Sequence, residues 1–163
     1  MESSLLAGVD TVFHLAGESV FNGRWNVPKK EKIRASRVDA TRRLVEGIAS
    51  CAQPPKKILI CSSAIGFYGD RGTEKLTETS VSGNDFLAGV CEAWEHEALR
   101  AQDFGVRVVC VRTGVVMGKG GGALAQMLPL FRMGLGGCWA MVVSICPGFT
   151  LMIWWGHALC SRA

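Results

Sequence analysis

Three apolar runs of the sequence end in small or polar residues, and these ends are where chemistry is most readily placed. They are Ala16-Gly17-Glu18, Ser62-Ser63-Ala64 and Arg112-Thr113-Gly114. Small residues let a backbone approach a flat ligand closely, and hydroxyl and guanidinium groups supply hydrogen bonds. Turns that follow strands favour small and hydroxyl residues too, so turn formation explains each end when it is taken singly.

The apolar runs themselves are predicted to be β-strands, because they are short and rich in β-branched residues. They are Thr11–Ala16, Lys57–Cys61 and Val106–Val111. Between them the apolar residues recur with helical spacing. One helix is predicted to begin at Pro28 and to bury Ile33, Val38, Leu44, Val45 and Ile48. A second begins near Asp85 and buries Leu87, Val90, Cys91, Trp94 and Ala98. A last helix is predicted from Ala123 to Arg132.

This alternation of strand and helix predicts the α/β class, with parallel strands joined by right-handed crossovers. Parallel sheets are usually covered on both faces, which explains why the runs are continuously apolar instead of alternating. In an open parallel sheet the ligand lies beyond the carboxyl ends of the strands. We therefore expect the three polar ends to lie along one edge of the sheet.

Six consecutive segments resemble one known family. They are HLAGES, SRVDATRRLVEGI, SSAIGFYGDRG, FLAGVCEAWEHEA, VRTGVVMGKGGGAL and LPLFRMGLGG. The family is the atypical extended short-chain dehydrogenases/reductases, the sugar-nucleotide-epimerase-like or cell-division-inhibitor-like proteins, and the resemblance extends from Val9 to Gly137. It implies a Rossmann-type domain that binds NADP(H) or NAD(H) and acts on a small molecule as an epimerase or oxidoreductase. The cofactor-side residues that it implies are Ala16, Gly17, Arg37, Ser62, Ser63, Arg112, Gly114 and Val115.

One departure from the family concerns the phosphate cradle. A dinucleotide-binding fold begins with a strand, a glycine-rich turn and a helix whose N-terminus holds the pyrophosphate. No GxGxxG pattern precedes Thr11, and the glycines of Gly118–Gly122 follow the third strand without the Gly-Lys-Ser/Thr ending of a P-loop. We therefore expect residues 1–137 to form a partial NAD(P)-binding Rossmann-like domain that lacks the first βαβ unit.

A second departure concerns catalysis. Typical members of the superfamily use a Tyr-x-x-x-Lys pair, in which the lysine assists proton exchange by the tyrosine. The single tyrosine, Tyr68, is followed four residues later by Gly72, and the expected helix carries Phe86, Leu87, Val90 and Cys91 instead. The family is itself atypical in this respect. We assign no catalytic residue and expect the chain to be weakly active or inactive.

The cysteines and the N-terminal residues argue against disulfide-rich, metal-binding and secreted proteins. The seven cysteines form no CxxC pair and several lie in apolar runs, which predicts buried thiols in a reducing intracellular compartment. Cys146, His157 and Cys160 match no standard metal-site spacing, so no metal is expected. The N-terminus lacks the pattern of a signal peptide.

The basic residues predict no nucleic-acid partner. The net charge is only +4, and eight Lys and Arg residues lie between Arg24 and Arg43. This local excess is typical of a solvated helix face. A patch that faces phosphate is the alternative.

Residues 138–163 are interpreted as an aberrant apolar tail. No charged residue occurs from Cys138 to Trp155, and these 18 residues reach the lower limit of a membrane span. However, reading the codons for this stretch from their third base permits LGNGRQYLSWIHIDDLVG, which resembles what the family carries after GLGG. We therefore favour a one-base slip of the reading frame over a membrane anchor.

Three hypotheses follow for the function. The first is a fragment of an NAD(P)-dependent epimerase/dehydratase-like oxidoreductase. The second is a non-catalytic interaction module that associates with a partner through an exposed sheet edge, since unpaired edge strands attract other strands. The third, ranked last, is a tail-anchored membrane protein.

Overall fold

The computed structural model describes residues 6, 8–21, 23–51, 58–118, 128–129, 132–133 and 148–150. Its elements in chain order are β1 (Thr11–His14), α1 (Val27–Ala35), α2 (Val38–Ala49), β2 (Ile58–Ala64), a 3-10 turn (Ile65–Tyr68), α3 (Phe86–Leu99), a 3-10 turn (Arg100–Phe104), β3 (Arg107–Thr113), β4 (Val115–Gly118) and β5 (Gly148–Thr150). The chain divides into two compact units, Met1–Gly69 with Ser80–Arg112 and Asp70–Thr79 with Thr113–Ala163.

The first unit contains a parallel three-stranded sheet in the order β1-β2-β3. Strand β1 pairs with β2 in a register that runs from Thr11 opposite Ile58 to His14 opposite Cys61. The prediction of a partial Rossmann-type α/β fold with parallel strands is therefore confirmed. Strand β1 lies at one edge of this sheet and β2 at its centre.

The strand ends differ from those predicted. Strands β2 and β3 continue to Ala64 and Thr113, so the polar residues Ser63 and Arg112 lie within strands and not after them. Both side chains have a hydrogen-bond partner on α3, which is why polar residues are tolerated there. Strand β1 instead ends early, at His14, because the chain then turns toward the junction of α1 and α2.

The helix predicted from Pro28 is two helices. The carbonyl oxygen of Ile33 accepts hydrogen bonds from the Ser36 hydroxyl at 3.0 Å and from Arg37 Nη1 at 3.2 Å. These side chains compete with the main-chain donor that would continue the helix. Helix α1 therefore ends at Ala35, and α2 begins at Val38.

Helices α2 and α3 cover one face of the sheet. Alternate residues of β2, Leu59, Cys61 and Ser63, are fully buried on that face. Leu59 packs in a cluster with Leu44, Val45, Ile48 and Val106, and Cys61 packs in another with Val38, Trp94 and Ala98. The apolar stripes that predicted the helices are the surfaces that pack on the sheet.

The opposite face of the sheet is only partly covered, so the expectation of two buried faces holds for one face alone. Phe13 of β1 is 51% exposed, and Leu15, which follows the same strand, is 52% exposed. Ile58 and Ile60 of β2 are half-buried. Apolar surface therefore reaches solvent at the β1 edge.

The second unit is described mainly by a two-stranded parallel sheet of β4 and β5, in which Val115 lies opposite Gly148. Of the helix predicted from Ala123 to Arg132, the structure describes Leu128, Pro129 and Arg132, and all three are helical. In the described part of the chain no helix is long and apolar enough to span a membrane. Apart from β5, the predicted tail lies outside the described residues.

Candidate functional site

The loop after β1 is attached to the junction of α1 and α2. The main-chain N–H of Glu18 donates to the Ser36 hydroxyl at 2.9 Å. The Glu18 carboxylate accepts from the Lys29 ammonium at 2.6 Å, and this contact holds the carboxyl pKa below its ordinary value. Ala16 and Gly17 lie just before this anchor and are exposed to solvent. Their backbone is thus accessible yet held in place.

Arg37 lies against this loop. Its Nη1 donates to the Glu18 carbonyl at 3.0 Å, and its guanidinium carbon lies 5.4 Å from the centre of the Trp94 ring. A Cβ added to Gly17 would lie 3.1 Å from that carbon, so the missing side chain leaves the space that Arg37 occupies. Burial lowers the pKa of Arg37, although a guanidinium stays charged at physiological pH. The structure therefore places a positive charge beside exposed backbone at the end of β1.

His14 and Thr41 fasten the end of β1 to α2. The Thr41 hydroxyl donates to the Arg37 carbonyl at 2.6 Å. Because the Thr41 hydroxyl has only this one proton to donate, it accepts the hydrogen bond from His14 Nε2 at 2.9 Å. Burial lowers the pKa of His14, which favours this neutral Nε2–H form. Sequence reasoning did not single out this pair.

A second polar cluster joins the ends of β2 and β3 to α3. Glu95 Oε1 accepts from the Ser63 hydroxyl at 2.5 Å and from Arg112 Nε at 2.8 Å. Glu95 Oε2 accepts from Arg112 Nη2, also at 2.8 Å. Glu95 is 8% exposed, so this paired salt bridge lies in the protein interior.

The same guanidinium reaches the 3-10 turn after β2. Arg112 Nη1 donates to the phenol oxygen of Tyr68 at 2.9 Å, and the guanidinium carbon lies 3.5 Å from the centre of the Phe67 ring. The Glu95 carboxylate raises the pKa of Arg112, which further favours its charged form. One arginine therefore joins three elements, namely β3, α3 and the turn.

The structure sorts the predicted site residues into groups. Ala16, Gly17 and Arg37 lie together at the end of β1, and Ser63 and Arg112 meet through Glu95. Ser62 is half-buried, and its hydroxyl lies 3.4 Å from the Ser63 carbonyl oxygen. Gly114 and Val115 belong to the second unit.

Glu95 escaped sequence reasoning, although a signal for it existed. The buried stripe of α3 includes Ala88, Cys91 and Ala98, and Glu95 continues the same helical spacing. A carboxylate on an apolar stripe needs a buried partner. Arg112, which directly follows the third apolar run, was the available cation.

Nucleophilic and metal chemistry have little support in the described residues. Burial raises the pKa of Cys61 to about 12 and that of Cys110 to about 11, so both remain thiols. Within the described ranges no group of three or more His, Cys, Asp or Glu could hold a metal ion.

Comparison with known proteins gives a consistent set of similarities. The profile of the NAD dependent epimerase/dehydratase family matches residues 3–136. An Arabidopsis thaliana protein, the chloroplastic epimerase family protein SDR39U1 homolog, is 43% identical over 131 residues, which is 80% of this chain and 37% of that protein.

Two solved structures are also similar. The nucleoside-diphosphate sugar epimerase of Corynebacterium glutamicum is 40% identical with a TM-score of 0.78, over 99% of this chain and 34% of that chain. Human epimerase family protein SDR39U1 (isoform 2), solved with NADPH, is 33% identical with a TM-score of 0.78, over 90% of this chain and 52% of that chain. The chain thus spans about half or less of the proteins it matches.

Proposed function

The chain belongs to the NAD dependent epimerase/dehydratase family, and from this premise we propose that it forms part of a binding site for NADP(H) or NAD(H). The site lies beyond the carboxyl ends of β1, β2 and β3, where open parallel sheets bind their ligands. Of the residues that the family resemblance implies, those in the first unit are Ala16, Gly17, Arg37, Ser62, Ser63 and Arg112.

The placement of Arg37 beside Gly17 is the observation that carries the proposal. A dinucleotide is an anion with flat rings, so it needs a cation and a backbone that it can approach closely. The exposed Ala16 and Gly17 supply the backbone, and the Arg37 guanidinium lies where a Cβ on Gly17 would make contact at 3.1 Å. Arg37 is held there by the Glu18 and Ile33 carbonyls, which pre-organises its charge.

Ser63 and Arg112 would contact the cofactor through different atoms from those of the loop after β1. Their side chains are bound to Glu95 on the face of the sheet that α3 covers. We therefore expect these two positions to offer the cofactor their main chain and not their polar side-chain atoms. Ser62, the neighbouring strand residue, is half-buried and projects from the opposite face.

The chemistry proposed for the family site is hydride exchange, which the bound nicotinamide ring would supply. The residues described here would bind and orient that cofactor. The 163 residues carry no GxGxxG turn ahead of β1 to hold the pyrophosphate. We therefore propose that the contacts of the residues named above, taken by themselves, bind the dinucleotide weakly. The substrate class proposed by analogy is a nucleotide sugar, since the Corynebacterium structure is a nucleoside-diphosphate sugar epimerase.

The proposed environment is a reducing intracellular compartment. Cys61, Cys91 and Cys110 are free thiols in the structure. The relatives include a chloroplastic protein of Arabidopsis and bacterial proteins.

The exposed β1 edge favours a second candidate function, that of an interaction module. Phe13 is 51% exposed on the edge strand, and unpaired edge strands recruit other strands. In this alternative the chain would be stable only in a complex.

Saturation-transfer NMR with NADPH and NADH tests the cofactor proposal, because it detects weak binding. We expect transfer of saturation from the protein to the nicotinamide and adenine protons of at least one cofactor. Excess ADP-ribose should displace the cofactor and abolish the transfer to its nicotinamide protons. A folded chain that shows no transfer to either cofactor would leave the interaction module as the better explanation.

A further inference from the structure

The buried carboxylate of Glu95 organises residues from three different elements. It accepts from Ser63 on β2 and binds Arg112 on β3 through both carboxylate oxygens. A paired contact of this kind fixes the plane of the guanidinium as well as its position. Because Glu95 belongs to α3, it couples the ends of two strands to one helix.

The orientation of Arg112 in turn determines where the turn after β2 can lie. Nη1 of Arg112 donates to Tyr68, and its guanidinium stacks on Phe67 at 3.5 Å. A planar cation can make both contacts only if its plane is fixed. The contact of Arg112 with Glu95 fixes that plane.

A close backbone contact holds the other side of the turn. The N–H of Gly83 donates to the Phe67 carbonyl at 2.8 Å, and a Cβ on Gly83 would lie 2.7 Å from the Tyr68 carbonyl oxygen. The turn therefore has contacts with Arg112 on one side and with Gly83 on the other. It follows β2 directly, at the carboxyl end of the central strand of the sheet.

We propose that Glu95 is a positioning residue of the cofactor site: through Arg112 it sets the conformation of the Ile65–Tyr68 turn, and with it the main chain that Ser62 and Ser63 offer to a nicotinamide dinucleotide. The inference rests on the proposed function for its last step. Glu95 itself faces the interior and does not touch the cofactor.

Glu97 on the same helix provides a matched control. It is 9% exposed, close to the 8% of Glu95, and it also binds arginines, with 2.8 Å to Arg42 Nη2 and 2.7 Å to Arg100 Nη1. Its partners lie on α2 and in the turn after α3, away from β2 and β3. Replacing Glu97 removes ion pairs to arginines that are more exposed, 42% and 44% against 19% for Arg112, and should leave the Tyr68 turn undisturbed.

The chain carries a single tyrosine, which makes Tyr68 a selective spectroscopic reporter. Tyrosine labelled with carbon-13 at the phenol carbon gives one protein signal in the 163-residue chain. The experiment compares wild type, Glu95→Gln and Glu97→Gln by this signal, by saturation transfer from the protein to NADPH and by thermal unfolding. Glutamine keeps the size of glutamate but removes the charge that pairs with Arg112.

We expect Glu95→Gln to shift or broaden the Tyr68 signal and to weaken NADPH binding about fivefold, the loss of roughly one hydrogen bond. Glu97→Gln should lower the melting temperature by less, because its arginines are more exposed, and should change neither the signal nor the binding. A Tyr68 signal that responds equally to both variants, or to neither, would overturn the inference. If Glu95→Gln alone moves the signal but wild type binds no NADPH, the positioning by Glu95 stands and the proposed function fails.

Discussion

Arg112 and Glu95, which are 17 residues apart in sequence, face each other through two hydrogen bonds of 2.8 Å at the end of the central sheet. Glu95 interrupts an apolar helix stripe, and Arg112 interrupts an apolar strand. Each residue is tolerated because the other is present, since a buried charge is costly without a partner. This pair links the folding of the sheet to the shape of the proposed site.

Removing the charge of Arg112 should destabilise the protein more than replacing Arg112 with another cation. Arg112→Met leaves the Glu95 carboxylate without its cation, and we expect the free energy of unfolding to fall by about 3 kcal/mol. Arg112→Lys keeps a charge but cannot donate to both carboxylate oxygens and to Tyr68, so we expect a smaller loss of about 1 kcal/mol. Urea unfolding measures both. Equal stability of the methionine variant and wild type would show that the pair is not needed.

Two glycines should respond in opposite directions to the same substitution. Gly83→Ala places a Cβ 2.7 Å from the Tyr68 carbonyl oxygen and 2.8 Å from Gly69 Cα, so the backbone must shift. We expect a loss of about 2 kcal/mol, as for overpacking of a filled interior. Gly89→Ala meets nothing within 4 Å in α3, and it should stabilise by about 0.5–1 kcal/mol through helix propensity. Chemical denaturation of the two variants checks the sign of each effect.

The stability of the fold should decline in alkali because of its buried thiols, of which Cys61 has a higher pKa than Cys110. The pKa of Cys61 rises from 9.0 to about 12 on folding, as burial favours the neutral thiol. Above about pH 9 the unfolded chain loses this proton while the folded chain keeps it, so stability falls as pH rises toward 12. The slope is about 1.4 kcal/mol per pH unit for this thiol. Urea unfolding at several alkaline pH values measures it.

Cys61→Ala is the control for that slope. The variant is less stable at neutral pH because it leaves a cavity. Its stability should nevertheless depend less steeply on alkaline pH than that of wild type. Parallel pH profiles of the two proteins would mean that the Cys61 thiol does not ionise on unfolding in this range.

The exposed β1 edge should promote self-association. Phe13→Lys replaces a 51% exposed aromatic residue with a charge on the edge strand, and we expect less aggregation with little change in melting temperature. Val12→Lys, one residue earlier, faces the core and should instead unfold the protein. Light scattering and thermal unfolding distinguish the two. Unchanged association of Phe13→Lys would direct attention to another surface.

The sequence predicted the parallel sheet because its apolar runs and helical stripes are repeating patterns that local chemistry imposes. It missed the break between α1 and α2, which depends on Ser36 and Arg37 side chains that bond to the Ile33 carbonyl. It also ended β2 and β3 too early, because Ser63 and Arg112 are polar. Their partner Glu95 lies 32 residues from Ser63. Its position on an apolar helix stripe signals that it has a buried partner, but a local pattern does not show which residue that partner is.

The periodicity of apolar residues could not predict the proximity of Gly17 and Arg37 either. The resemblance implied both residues, but only the folded chain shows the guanidinium in the space that a Gly17 side chain would occupy. That contact crosses from the β1 loop to the start of α2. It depends on the helix break, which sequence patterning did not predict.

Titration of the folded chain with NADPH, comparing wild type with Gly17→Val, tests the proposed cofactor site most directly. Gly17 does not adopt a positive φ, so valine should be accepted by the backbone, while its side chain displaces Arg37 and blocks the approach to the loop. Arg43→Ala, which removes an exposed arginine of α2, shows whether binding depends only on the general positive charge of the chain. We predict weak saturable binding by wild type and Arg43→Ala, and binding at least about tenfold weaker by Gly17→Val. Equal binding by all three, or none by a folded wild type, would contradict a dinucleotide site at the carboxyl ends of these strands.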